Sequence, residues 1–234
     1  MDLRHRGFSV SNKADLSLVT EADLTANQII TENLTELYPD IPIVSEESEN
    51  RASANKFFLV DPLDGTKEFI NGFPDFTVNI ALIENNKPVM GIVYLPMTGE
   101  SYYGDKQGAV KISDGGSTEI NISGRANDFR VMTSRSHMDS KTLEFLEGFK
   151  HASVLQAGSS VKFCLVAEGS AEVYPRFGRT MEWDTAAGQA VLEAAGGKVL
   201  VAQTGEELTY GKPGFENPGF IAVSEKEVIQ GKAK

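Results

Sequence analysis

Leu59-Val60-Asp61-Pro62-Leu63-Asp64-Gly65-Thr66 is the stretch on which the reading of this chain turns. A β-prone apolar run from Phe57 leads into Asp61, Pro62 withholds an amide and stiffens the backbone, and Gly65 permits a tight turn before a short helix expected over Thr66 to Ile70. Both acids are then set at the carboxyl end of a strand beside a helix N-terminus, where open α/β sheets gather their ligands. Two carboxylates so placed repel each other, at a cost that a divalent cation removes. The amides of Gly65 and Thr66 point where a phosphate oxygen can bind. A bare Asp-x-x-Asp-Gly is equally an ordinary turn after a strand-end acid, so the choice falls to the rest of the chain.

Two further acidic segments favour the metal. Glu46 lies in the loop Ser45-Glu46-Glu47-Ser48-Glu49 just ahead of the same strand, and Trp183-Asp184-Thr185 places an acid at a helix start, with Ala186, Ala187 and Gly188 small enough for close approach. Taken alone, Asp184 reads as a helix N-cap. Together the four acids offer hard oxygen donors from separate segments, which suits Mg²⁺, an ion that keeps some waters and shares its other positions with phosphate. The net charge of −11 and pI near 4.8 oppose a nucleic-acid polymer or an anionic membrane as main partner. Neither an apolar run of the roughly 20 residues of a membrane helix nor a signal-peptide core is seen, so a cytoplasmic address is expected, with a peripheral position at the inner face of the cell membrane as a variant. Cys164, the only cysteine, excludes an intrachain disulfide and a thiolate metal cluster; within Val161 to Ala167 it reads as a buried structural thiol.

Hydrophobic spacing organises the remainder. Thr20-Glu21-Ala22-Asp23 resembles a capping box, and Ile29, Ile30, Leu34 and Leu37 follow at helical spacing up to Pro39. Strands are expected over Phe76 to Ile83, Val89 to Leu95 and Ser101 to Tyr103, a meander that ends in a loop at Asp114 to Ser117. The polar stretch Ser123 to Asp128 then joins two lobes, residues 1–127 and 128–234. Beyond it, strands near Phe129 to Thr133, Ser153 to Gln156, Glu172 to Tyr174 and Lys198 to Val201 alternate with helices near Ser140 to Phe149, Ser159 to Glu168 and Thr185 to Ala195. The first half thus reads as α+β and the second as α/β.

Glu46-Glu47-Ser48, Asp61-Pro62-Leu63-Asp64-Gly65-Thr66 and Trp183-Asp184-Thr185-Ala186-Ala187-Gly188, in this order and spacing, resemble the inositol monophosphatase superfamily of metal-dependent, lithium-sensitive phosphatases. The likeness spans about Lys13 to Ala222. It implies a layered αβαβα sandwich of the sugar-phosphatase type. Within the superfamily, Lys67-Glu68-Phe69, Ser134-Arg135-Ser136-His137, Gly158 to Gly169 and Tyr174-Pro175-Arg176 are similar to the 3′(2′),5′-bisphosphate nucleotidases of the CysQ type. Such enzymes remove the 3′-phosphate of adenosine 3′,5′-bisphosphate, a by-product of sulfate assimilation, and this class also raises the sulfated nucleotide 3′-phosphoadenosine 5′-phosphosulfate as a substrate. An inositol or sugar monophosphate phosphatase is the alternative; a catalytically impaired binding or regulatory protein is the second.

The resemblance implies that Glu46, Asp61 and the Leu63 carbonyl hold one Mg²⁺ and that Asp61, Asp64 and Asp184 hold another, two ions in all, or three, with the substrate phosphate bridging them. Asp23 and Thr66 would orient and deprotonate the attacking water, with Lys13 and Asp15 in a nearby loop. For the second phosphate, Ser159 is expected to cap a helix, with Lys162 one turn on and Arg176 after a strand; the resemblance adds His137. This group is expected to lie away from the carboxylates. Singly, Lys162 and Arg176 read as solvated charges and His137 as a loop histidine. The family usually begins with an amphipathic helix ahead of Lys13, where this sequence has only Met1 to Asn12, so either that helix is missing or the chain is a fragment, and Leu18 stands where the family often has proline. A monomer and a homodimer both remain open.

Overall fold

The computed structural model of the chain describes residues 10–12, 18–48, 54–122, 129–136, 138–149 and 151–225, the side chains of 10–12 and 18 excepted. Lys13, Asp15, His137, the joining stretch Ser123 to Asp128 and most of the segment bearing on the first helix lie outside the described residues.

An antiparallel pairing of β1 (Val10–Asn12) with β2 (Leu18–Thr20), three residues on each strand, precedes α1 (Glu21–Leu37). The expected capping box is formed at the start of α1 by Thr20 and Asp23. A seven-stranded sheet follows, with β3 (Ile43–Ser45) parallel to β4 (Lys56–Asp64) at one edge. Four more meander strands, β5 (Thr77–Glu84), β6 (Lys87–Leu95), β7 (Glu100–Asp105) and β8 (Gly108–Ser113), and the last strand β9 (Gly116–Ile120) are antiparallel, with α2 (Thr66–Ile70) between β4 and β5. Of the stretch Asp114 to Ser117, expected as a loop, only Asp114 and Gly115 form the tight turn of the β8–β9 hairpin; Gly116 and Ser117 already belong to β9, Ser113 pairing with Gly116 and Ile112 with Ser117. Strand β9 gives no alternation to read because nearly all its side chains are exposed.

The second sheet has five strands, in the order β11 (Ser153–Ala157), β10 (Arg130–Ser134), β12 (Val173–Arg176), β14 (Phe220–Val223), β13 (Lys198–Val201). β10, β11 and β12 run parallel, as an α/β reading expects, but β13 and β14 add an antiparallel pair, so the sheet is mixed. Helices α3 (Ser140–Glu147), α4 (Val161–Ala167) and α5 (Ala186–Ala194) alternate with these strands.

The layers follow from which face each strand buries. Met132, Tyr174, Val199 and Phe220 share the main core with Phe163 of α4, with Val191 of α5, and with Phe57, Ala81 and Val93 of the large sheet. Val131, Val173, Leu200 and Ile221 turn to the opposite face, against Phe145 and Phe149 of the α3 region. With α1 against β3 and β4 on the outer side of the large sheet, the stack is helix, sheet, helix pair, sheet, helix. Close approach is built in by small residues: a Cβ on Gly91 would stand 2.4 Å from the Ala187 carbonyl, and one on Gly188 2.5 Å from the Phe163 ring. Among the described residues, no helix is long and apolar enough to cross a membrane.

Candidate metal and phosphate site

Asp61 and Asp64 are three residues apart, so a regular strand would turn them to opposite faces. Here Asp61 pairs with Asn79 and Asp64 with Thr77, two residues apart on β5, and the register shifts between them. The bulge inserts one residue around Pro62, which has no amide to lose from the ladder, and both carboxylates emerge on one side. The Leu63 amide donates to Asp61 Oδ1 at 3.0 Å, fixing the fully buried carboxylate. Glu46 follows β3, its amide donating to the Val60 carbonyl at 3.0 Å, which brings it alongside Asp61.

Asp184 ends a 3₁₀ turn, Glu182–Asp184, and its Oδ2 accepts from the Met181 amide at 2.8 Å. That turn is anchored by Glu182, wholly buried, which accepts from the amides of Gly211 at 2.7 Å and Lys212 at 2.9 Å and pairs with Lys212 Nζ at 2.7 Å. One carboxylate oxygen from each of Asp61, Asp64 and Asp184 lies within 4.8 Å of the others. Burial pushes all three carboxyls up, and neighbouring acids push further: Asp61 and Asp184 well above the usual range, Asp64 to about 6. Glu46 contributes to each of these shifts. A partly dry, all-oxygen group whose members repel one another is fitted to hold a hard divalent cation.

Asp23 is buried and accepts at Oδ2 from the Thr20 amide at 2.8 Å and the Thr20 hydroxyl at 2.5 Å. Its other oxygen, Oδ1, faces the Thr66 hydroxyl at 3.3 Å, while that hydroxyl also lies 3.4 Å from the Leu63 carbonyl. Capping and the contact with Thr66 therefore coexist.

The basic residues are not solvated. Lys162 is 3 % exposed and Arg176 9 %. Lys162 Nζ donates to the Ser159 carbonyl and lies 5.1 Å over the Tyr174 ring; burial lowers its pKa to about 8, against the pull of Asp64. Arg176 Nη2 donates to the Arg179 carbonyl at 3.1 Å. Two expectations are corrected. Ser159 does not cap α4: Ser160 holds the N-cap position, and Ser159 sits in the left-handed region at φ 41° with its hydroxyl buried and unpartnered. Nor is the basic group apart from the carboxylates, since the Ser160 amide donates to Asp64 Oδ2 at 2.5 Å and Lys162 acts directly on Asp64.

A family model described as the inositol monophosphatase family matches residues 2–231. The chain belongs to the inositol monophosphatase family. It is 47% identical over 215 residues to the 3′(2′),5′-bisphosphate nucleotidase CysQ of Salmonella typhimurium, covering 90% of this chain and 87% of that one. Among solved structures, CysQ from Bacteroides thetaiotaomicron superposes with a TM-score of 0.81 at 38% identity, covering 87% and 83% of the two chains. The IMPase of Thermotoga maritima reaches 0.83 at 26% identity, covering 99% and 89%.

On this inositol monophosphatase scaffold, several site neighbours escape a reading of the sequence. Arg135 bridges Asp75 at 2.5 Å, and Asp75 also accepts from the Gly158 amide; burial opposes the charge, but these donors hold its carboxyl below the usual range. Glu68, buried, accepts from the Ser136 hydroxyl at 2.6 Å. Thr77 and Asn79 are buried beside Ser160. Their one signal in the sequence was two polar residues on the inward face of an otherwise apolar alternating strand.

Proposed function

We propose that this chain is a Mg²⁺-dependent 3′(2′),5′-bisphosphate nucleotidase that hydrolyses the 3′-phosphate of adenosine 3′,5′-bisphosphate. The observation that carries this reading is the burial of Lys162 and Arg176 beside a cluster of carboxylates, where two phosphates of one small molecule would be met by different chemistry. Asp64, Glu68 and Asp75 act on Lys162, and Arg176 acts on Asp139 and Asp184, so both cations are embedded among the acids of the site, where a phosphate would add a further anionic partner. The 3′(2′),5′-bisphosphate nucleotidase activity for which a relative 47% identical is named points the same way.

In this reading Glu46, Asp61, the Leu63 carbonyl, Asp64 and Asp184 hold the divalent ions. When bound, those ions supply Lewis-acid stabilisation of the charge that develops at phosphorus and on the departing oxygen. Thr20 occupies Asp23 Oδ2 and so leaves Oδ1 directed at Thr66. The attacking water passes its proton to Thr66 Oγ1 as Thr66 passes its own to Asp23. The water oxygen bonds to phosphorus, the 3′ C–O–P link breaks at the phosphorus, and the nucleoside oxygen takes a proton from a solvent water to leave as a hydroxyl, while Asp23 returns its proton to solvent. Ser159, Lys162, Arg176 and, outside the described residues, His137 receive the 5′-phosphate.

The test is phosphate release with Mg²⁺ from adenosine 3′,5′-bisphosphate, 3′-phosphoadenosine 5′-phosphosulfate, inositol 1-phosphate and fructose bisphosphate. The nucleotides should lead by at least tenfold in kcat/KM. A lead by inositol phosphate would make the chain a monophosphatase, and no turnover of any of them would leave a binding protein.

A further inference from the structure

Behind the carboxylates lies a polar group that the mechanism above does not use. Thr77 and Asn79 of β5 and Ser160 at the start of α4 are 0%, 1% and 1% exposed. The Ser160 hydroxyl lies 2.7 Å from Asn79 Oδ1 and 2.7 Å from the Thr77 hydroxyl. Asp64 Oδ2 is approached by the Ser160 amide at 2.5 Å and by Asn79 Nδ2 at 3.5 Å.

Proton counting gives this group a direction. An amide oxygen only accepts, so the single proton of the Ser160 hydroxyl is committed to Asn79. Thr77 must then donate to Ser160. Turning the Asn79 amide over would set its oxygen against the Asp64 carboxylate, two acceptors face to face, so the network itself selects the orientation with Nδ2 toward Asp64. The order is therefore Thr77 to Ser160 to Asn79 to Asp64. Both donors address Oδ2, so the carboxylate is held along one edge and its plane is set by residues that reach no substrate.

We propose that Ser160 is a positioning residue for Asp64, with Asn79 and Thr77 as its support, and that this relay presents the other edge of the carboxylate to the divalent cation. It also ties the segment carrying Ser159 and Lys162 to the metal group, because one residue, Ser160, is bonded to both strands of that arrangement. The inference rests on Asp64 being a metal ligand. Partners of ligating carboxylates typically matter by roughly 10- to 100-fold in metal affinity.

Titration calorimetry of the metal-free full chain with MgCl₂, alongside its melting temperature, tests this. Ser160→Ala should weaken Mg²⁺ binding about tenfold or more. Thr77→Val, which keeps the shape and removes the donor, should weaken it by a smaller factor, while Thr77→Ser, which keeps the donor, should bind as the parent does. A purely structural role would lower the melting temperature and leave Mg²⁺ affinity alone. If Asp64→Asn loses affinity but Ser160→Ala stays within twofold of the parent, the relay is only interior cement and the proposal is wrong. Should Ser160→Ala not fold, the Thr77→Val and Thr77→Ser pair decides on the same criterion. Unchanged affinity in Asp64→Asn would overturn the ligand assignment itself, and this inference with it.

Discussion

Asp64→Asn should abolish turnover and yet stabilise the metal-free protein. The Asp64 carboxyl is raised from 3.8 to about 6, chiefly by burial, with Lys162 and the Ser160 amide opposing and Glu46 and Glu68 adding to the rise. A carboxyl whose folded pKa exceeds its unfolded value favours the protonated folded state, so stability falls as pH rises from about 4 through about 6 and stays low above it. Two pKa units correspond to roughly 3 kcal/mol. Asparagine keeps an acceptor for the Ser160 amide and removes the charge, so a net gain of about 1–3 kcal/mol is expected at pH 7.5. For a domain of this size that is roughly 2–10 °C in melting temperature. The assay is thermal unfolding in EDTA at pH 7.5 and pH 5, and again in Mg²⁺. The variant should melt higher than the parent in EDTA at pH 7.5, the gap should shrink at pH 5, and Mg²⁺ should raise the parent more than the variant. An Asp64→Asn protein that melts at or below the parent in EDTA at pH 7.5 would show that burial and the neighbouring acids do not penalise the Asp64 charge, and the reasoning for a cation there would fail.

Four other outcomes are expected. Thr66→Ala should lower kcat far more than it raises KM and leave Mg²⁺ affinity nearly unchanged; a change in KM alone would make Thr66 a binding residue. Lys162→Ala should cost adenosine 3′,5′-bisphosphate about ten- to a hundredfold more in kcat/KM than a substrate with one phosphate, as charge-assisted bonds are worth about 1.5–3 kcal/mol; equal losses would tie Lys162 to Asp64 rather than to the 5′-phosphate. Gly91→Ala would drive a methyl into the Ala187 carbonyl and should destabilise by about 1–3 kcal/mol in urea, whereas no change would mean α5 can shift off the sheet. Glu207 is held at about 2 by Lys198 and Lys87, so its pairing contributes above pH 4.5 and is lost as pH falls toward 2. Since its side chain is 39% exposed, Glu207→Gln should cost under about 1 kcal/mol at pH 6 and nothing once the pH is below about 2; a pH-independent difference would mean the ion pairs contribute nothing.

What the chain announces by sequence alone is local chemistry. Asp61-Pro62-Leu63-Asp64-Gly65-Thr66 states a strand end, a missing amide and a turn, because each is a property of a residue and its immediate neighbours. Thr20 and Asp23 announce a capping box for the same reason, and the structure forms it. Period-two apolar runs revealed the meander strands β5, β6 and β7, but not β8, and β9, exposed and polar on both faces, carried no period to read. Tertiary structure alone decided the rest. The bulge that turns Asp61 and Asp64 to one side is a matter of pairing with β5, not of β4 itself. Lys162 and Arg176 look like surface charges until the fold buries them, and Ser160 looks like part of a helix start until its amide meets Asp64, 96 residues away in sequence. Burial and long-range hydrogen bonds depend on which segments the folded core brings together, and no local pattern encodes that distance.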